Sequence, residues 1–362
     1  MTALWQSIHI YYYDANKDNL LLNCVRPLFL TLRERGWVER LYFIRHWRGG
    51  SHVRLQLYAD ASLFQEKIVP YVRGEVEAYF QQVPSTASFS EEEARRQYER
   101  RKLQIAKHQY RELRPNNSLE VAPYEDLSAT VGSEGVARLL EHYYEETGDL
   151  AFNLIEQTRN NYTARLNVCF DQLVAVVATS PFLSLDRAYM SYRSHAEGYI
   201  AGESLIEEPG RRRQRLEQAY RERHDSVNKR VRHLLTLITK APERLPSELK
   251  SIIEIHRRYG EQAFHGAQEG VMRLKTHEDA AEDRKKMKVE ESAYLAAVFN
   301  NPAVLAYSND PVVVAHRIEL NFLYLHLHRI GMLNEDRYIL DYYIANAIEE
   351  LLGIDPVVAM SA

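Results

Sequence analysis

Polar and apolar residues alternate with a period of two near the start of the chain, then shift to a helical period. Trp5 to Tyr13 alternates and is rich in β-formers, which predicts a first strand. A polar turn, Asp14-Ala15-Asn16-Lys17-Asp18-Asn19, opens a helix over Leu20 to Arg35. Leu21, Val25, Leu28 and Leu32 recur along one side of it, and Gly36 closes it. Tyr42-Phe43-Ile44, the turn Gly49-Gly50, and Val53, Leu55 and Leu57 interleaved with His52, Arg54 and Gln56 predict a β-hairpin. Phe64 to Gln82 places Phe64, Ile68, Tyr71, Val72, Val76, Tyr79 and Phe80 on one side of a second helix. Strand, helix, strand, strand, helix within about eighty residues predicts a small ferredoxin-like sheet with helices on one face.

Beyond the loop Pro84 to Ser90, Glu91 to Ile105 is dense in Arg and Glu and reads as a solvated helix or an extended arm running on towards Arg114. Arg114-Pro115-Asn116-Asn117 is a turn. From Val136 the pattern is helical almost to the end, broken at Pro181, Pro209, Pro242, Pro246 and Pro302. Arg273 to Glu291 is dense in charge and reads as a mobile loop. Pro311 to Leu352 holds two helices joined near Gly331-Met332-Leu333-Asn334. The pattern therefore predicts an α+β protein. Residues 1–120 form a small ferredoxin-like β-rich N-terminal lobe with the hairpin and charged arm, and residues 121–362 a larger, mostly α-helical C-terminal lobe.

Composition narrows the classes. A net charge of -4 gives no global field favouring nucleic acid. Cys24 and Cys169 lie in apolar runs, which excludes a disulfide framework or a Cys-rich metal site and suits a reduced, cytoplasmic core. No basic region followed by an apolar core opens the chain, and no run of eighteen apolar residues occurs, so neither a signal peptide nor a membrane span is expected. Phosphate-loop, Rossmann and HExxH patterns are absent. Tyrosine is abundant, at 24 residues, and its flat apolar face with a hydroxyl suits peptide or aromatic ligands.

Period two puts His52, Arg54 and Gln56 on one face of the hairpin, near Arg45, His46 and Arg48. Such a row suits an anionic or amide-rich ligand. A half-solvated hairpin facing water gives the same pattern. His195 lies in Tyr192-Arg193-Ser194-His195, inside a helical stretch, where a surface or capping histidine reads alike. Tyr324 and His328 are one helical turn apart in Leu323 to Arg329, while His326 projects elsewhere. Tyr324 rather than a second histidine partners His328, and no carboxylate falls at ligand spacing, so no metal site is expected; polar core residues fit the same positions.

Several of these stretches carry a resemblance. Trp5, Arg26-Pro27-Leu28, Tyr42-Phe43-Ile44-Arg45 and Gly49-Gly50-Ser51-His52-Val53-Arg54-Leu55 resemble the opening of the lantibiotic dehydratase C-terminal domain, also called the thiopeptide-type bacteriocin biosynthesis domain. Tyr124 before Gly132, Ser191-Tyr192-Arg193-Ser194-His195 and His328-Arg329-Ile330-Gly331 extend it over essentially the whole chain. The resemblance implies a tailoring enzyme acting on a leader-bearing precursor peptide. The family includes glutamate-eliminating dehydratase halves, which grip a glutamyl ester with arginines, and stand-alone [4+2] pyridine synthases.

The departures discriminate between these. Gln56 stands where the family's second hairpin arginine falls, the arginine before its Tyr-Gly-Gly turn is replaced around Ala129-Thr130-Val131, and Tyr324 takes the place of its late histidine. Of the glutamate-binding set only Arg54 remains, and one guanidinium neutralises a bound glutamate poorly. A [4+2] cycloaddition forming a pyridine-type macrocycle is therefore the leading expectation. A stand-alone glutamate-elimination subunit and a catalytically inert leader-binding partner are the others. On the leading reading Tyr324, His195 and His328 are catalytic proton donors, and His52, Arg54, Gln56 and Arg45 bind substrate, with no metal or other cofactor. Arg54, Gln56 and Tyr324 are expected to line one cavity. The expected partners are the precursor peptide, a glutamylating dehydratase subunit and a second copy of the chain, without a membrane.

Overall fold

The computed structural model describes residues 3–101, 110–202, 210–274 and 292–361. Its sheet has four strands: β1 (Ala3–Tyr11), β2 (Arg40–His46), β3 (His52–Asp60) and β4 (Ser118–Ala122). They lie in the order β2-β3-β1-β4 with every neighbouring pair antiparallel. With a helical run between β1 and β2 and another between β3 and β4, this is the ferredoxin-like arrangement that the pattern predicts. The pattern did not announce β4, because five residues, Ser118-Leu119-Glu120-Val121-Ala122, carry too short an alternation to register.

Ile8 and Ile10 of β1, Leu41 and Phe43 of β2, and Val53, Leu55 and Leu57 of β3 share one face and are buried. The helical runs supply Leu21, Val25, Leu28, Leu32, Ile68, Val72 and Val76 to the core. Each of these runs contains a π turn, Leu21–Val25 and Phe64–Ile68, just ahead of Pro27 and Pro70. A proline lacks the N–H for the usual i→i−4 bond, and a widened turn accommodates it without ending the helix.

The chain forms two compact units. The first comprises Met1–Asp126, Glu141–Arg165 and His326–Gly331; the second comprises Leu127–Leu140, Leu166–Leu325 and Met332–Ala362. In the first, the helix Gly148–Gln157 brings Phe152 against Phe43, with ring centroids 4.8 Å apart. The second is helical, and Tyr162–Ala178, which runs into it, buries Cys169 and Leu173 through Val177 completely. The fold is thus α+β, a β-rich N-terminal lobe with a helical C-terminal region. Both cysteines are buried, and neither forms a disulfide. Among the described residues, no helix is long and apolar enough to cross a membrane.

The charged stretch after Ser90 forms the helix Glu91–Arg101. Residues 102–109 lie outside the described residues. Beyond them the chain returns to this helix, since Glu91 accepts hydrogen bonds from the Tyr110 hydroxyl and the Leu113 amide, and Arg95 stacks on Tyr110. Of the segment expected to be a mobile loop, residues 275–291 lie outside the described residues, whereas the Arg273 amide donates to Ser133 Oγ.

Candidate functional site

Two clusters of polar side chains stand out, one in each unit. In the first unit, β3 sends His52, Arg54 and Gln56 to one sheet face, as its period of two requires. The register sets Tyr11, His9 and Ser7 of β1 beside them on one side and His46, Ile44 and Tyr42 of β2 on the other. This face does not meet water: His52, Arg54 and Gln56 are 0%, 3% and 1% exposed. The half-solvated reading fails because the polar groups of His52 and Arg54 bond to one another and to their neighbours.

Arg54 is at the centre. Its Nε donates to His52 Nε2 at 3.0 Å, Nη2 lies 3.1 Å from His46 Nδ1, and Nη1 donates to Glu125 Oε2 at 2.8 Å. His52 Nδ1 lies 2.7 Å from the Gly50 carbonyl, so its proton sits on Nδ1 and Nε2 is free to accept. The turn beneath, Gly49-Gly50, has both residues at positive φ, which glycine adopts without steric cost. His46 Nδ1 likewise accepts, taking the Arg48 amide as well. Burial first, and the Arg54 charge second, hold His46 and His52 well below the ordinary histidine range and push His9 down to about 3. All three are neutral at pH 7. Glu125 also accepts from Arg48 and Arg111, each at 2.5 Å. Partial burial raises the Glu125 carboxyl, but the three guanidinium groups outweigh it and hold it down to about 2. Ser7 Oγ, His9 Nδ1 and Gln56 Oε1 are buried on the same face without a hydrogen-bond partner among the described residues.

An acid response follows. The three histidines bind protons in the unfolded chain near 6.5 but resist them when folded, so their contribution is complete above pH 6.5 and is lost as pH falls towards 3. The urea midpoint should drop steadily across that window. An H9F variant should soften the drop, and a flat midpoint from pH 7 to 4.5 would contradict neutral histidines here.

Arg45 is not part of this face. Its register partner is Val53, so it points to the opposite side, where Nε donates to the Arg329 carbonyl at 2.9 Å and Nη2 lies 3.6 Å from Asp18. Its guanidinium and that of Arg165 lie about 3.0 Å from where a Cβ of Gly331, at φ +107°, would stand, so a side chain there would strain the backbone and crowd both arginines.

The second cluster joins His195 and Tyr324, which sequence spacing alone left unconnected. His195 lies on the helix Met190–Ala201 and Tyr324 on Pro311–Ile330; His195 Nδ1 and Tyr324 Oη are 2.8 Å apart. Asp341, on Asn334–Leu352, completes the group, with its two oxygens 3.3 and 3.2 Å from Tyr324 Oη. Arg337, one turn before Asp341, lies 4.5 Å from the centre of the Tyr324 ring. Asp341 is completely buried, and desolvation pushes its carboxyl up to about 8 despite Arg337. Burial also lifts Tyr324 well above the ordinary range, while the His195 ring is held below its own by desolvation and then by Arg337. The His195 side chain nonetheless keeps 38% of its exposure. The Tyr324 hydroxyl donates to the Asp341 carboxyl, and His195 Nδ1 beside it donates or accepts according to its tautomer.

His328, one turn beyond Tyr324, is half-buried and belongs to the sheet-bearing unit, as do Arg54 and Gln56. Sequence reasoning missed Asp341 and Glu125. Asp341 does carry a signal: it and Tyr324 lie at equal separation on either side of the Met332-Leu333 turn, where antiparallel helices bring residues together. Among the described residues no group of three His, Cys, Asp or Glu side chains converges at metal-binding geometry. A cavity of about 430 Å³ opens in the second unit beside Arg193, Glu197, Arg213, Tyr294 and Tyr342, and none of the sequence-predicted site residues lines it.

The fold is similar to two solved structures along nearly their full lengths. One is described as the pyridine synthase TbtD from thiomuracin biosynthesis: 21% identity, TM-score 0.75, covering 97% of this chain and 99% of that one. The other is TsrL: 22% identity, TM-score 0.73, covering 99% and 98%. The tRNA-dependent lantibiotic dehydratase MibB from Microbispora sp. 107891 aligns at 14% identity and TM-score 0.50 with 96% of this chain but 28% of its own. No curated protein is matched by the sequence. Residues 5–348 match the family described as lantibiotic biosynthesis dehydratase C-term, and the chain belongs to that family.

Proposed function

We propose that the protein tailors ribosomally made peptides, joining two dehydroalanines of a leader-bearing precursor in a [4+2] cycloaddition that closes a pyridine-type macrocycle. The observation that carries this reading is the hydrogen-bonded Asp341–Tyr324–His195 line, which ends on a half-exposed imidazole. Similarity to a protein described as a pyridine synthase supports it.

The chemistry sets what the residues must do. The amide that acylates the nitrogen of one dehydroalanine takes its iminol form, giving a 2-azadiene, and two carbon–carbon bonds form to the second dehydroalanine. The ring then loses water, the hydroxyl leaving with a donated proton. It next loses the leader as a carboxamide, whose nitrogen takes a proton as the carbon–nitrogen bond breaks. The ring gives up one proton in each elimination, so no oxidant is required. Protons passing from Asp341 to Tyr324 and from Tyr324 to His195 Nδ1 let His195 Nε2–H donate to the departing groups and reload.

Glutamate elimination is the weaker reading, since Arg54 is already engaged by Glu125, His46 and His52. The leader is assigned to the sheet-bearing unit, where the edge strands β2 and β4 can accept an added strand. The test is to incubate the protein with a leader-bearing peptide carrying two dehydroalanines. Mass spectrometry should show loss of water and release of the leader as its amide. Release of glutamate from a glutamylated precursor, without ring closure, would replace this reading with the eliminase one. The full precursor should also bind at least tenfold more tightly than the core alone, the gap narrowing in high salt.

A further inference from the structure

We infer that Glu125 is a built-in occupant of a three-arginine carboxylate site, and that its presence keeps acidic groups of a peptide out of this sheet face. Arg48, Arg54 and Arg111 come from three separate segments and aim one nitrogen each at the same carboxylate, at 2.5, 2.8 and 2.5 Å. Charge-assisted bonds of this kind are the strongest recognition a protein offers a carboxylate. The site is built from within: Arg54 is 3% exposed and is fixed by His46 and His52, both acceptors, and the Arg48 side chain is 9% exposed. Glu125 sits at the outer side, 27% exposed, on the stretch that follows β4. That stretch is free of regular structure, so the carboxylate is a pendant group carried into the arginines by the chain itself.

Three cations facing one anion leave a net positive pocket once that anion is removed. A carboxylic acid side chain or small carboxylate is the ligand class that fits. A tethered carboxylate has a large effective concentration, so an acidic residue on a passing peptide does not displace it. This deepens the proposed function, resting on it for the view that the face admits only uncharged peptide chemistry, yet its test reads binding rather than ring formation.

The experiment measures thermal midpoints of the wild type, E125A and E125Q in acetate, in L-glutamate and in sodium chloride at matched ionic strength. E125A should melt well below the wild type in chloride and recover saturably in acetate or glutamate, while the wild type shows no carboxylate-specific shift. E125Q fills the pocket with a neutral amide and should respond to carboxylates less than E125A does. A response of E125A to chloride equal to that in acetate would overturn the site. So would a wild type that responds as E125A does, or an E125A that stays unfolded in acetate while E125Q folds. Loss of cyclisation with normal carboxylate rescue would instead count against the proposed reaction alone.

Discussion

Replacing Tyr324 with phenylalanine is expected to slow conversion of a bis-dehydroalanine precursor by about 10²- to 10⁴-fold, the range that one positioned proton-transfer group supplies. The ring, its contact with Arg337 and the helix stay in place, so only the hydroxyl between Asp341 and His195 is lost. Asp341 is held protonated by burial, so the variant leaves a neutral buried carboxyl rather than a stranded charge. The stability cost should therefore stay near 1–3 kcal/mol, one buried group without its partner. Single-turnover rates beside a melting curve separate the two effects. A Y324F variant within threefold of the wild type would remove the hydroxyl from the chemistry. The same chain predicts a wild-type rate that declines above about pH 8, as Asp341 loses its proton, and a D341N variant without that limb.

The largest effect on stability is expected at Asp18, which belongs to neither cluster. Asp18 is 1% exposed and takes two bonds from Arg165, at 2.9 and 2.7 Å, with Arg45 3.6 Å away. D18A leaves two buried guanidinium groups without a carboxylate, which costs about 3–5 kcal/mol in comparable buried pairs. Chemical denaturation should show a lowered midpoint with an unchanged slope. D18A/R165M should recover part of the loss, because an apolar replacement removes the uncompensated charge rather than creating it. A cost below about 1 kcal/mol for D18A would mean that water reaches these arginines.

Much of the sheet was legible along the chain. Leucine spacing in the first helical run, Gly49-Gly50 and the alternation of His52, Arg54 and Gln56 with Val53, Leu55 and Leu57 are local signals, because turns and strand faces depend on neighbouring residues. The short β4 was not legible, since an edge strand of five residues is decided by the partner it meets. The candidate site divides in the same way. Tyr324, His195, Arg54 and Gln56 stood out as residue types at helical or strand positions, but nothing local stated that His195 meets Tyr324, 129 residues away. Nor did local spacing place Arg45 on the far face of β2, although its neighbours in sequence suggested company with Arg54.

By itself, the sequence determined the alternation that builds a two-faced sheet, the succession of helices and the residue types available for proton transfer. Only the tertiary structure decided that the polar face is buried, that Glu125 pairs with Arg48, Arg54 and Arg111, and that Asp341 is buried beside Tyr324. Burial and charge are properties of everything that surrounds a group, and most of what surrounds these groups arrives from distant parts of the chain.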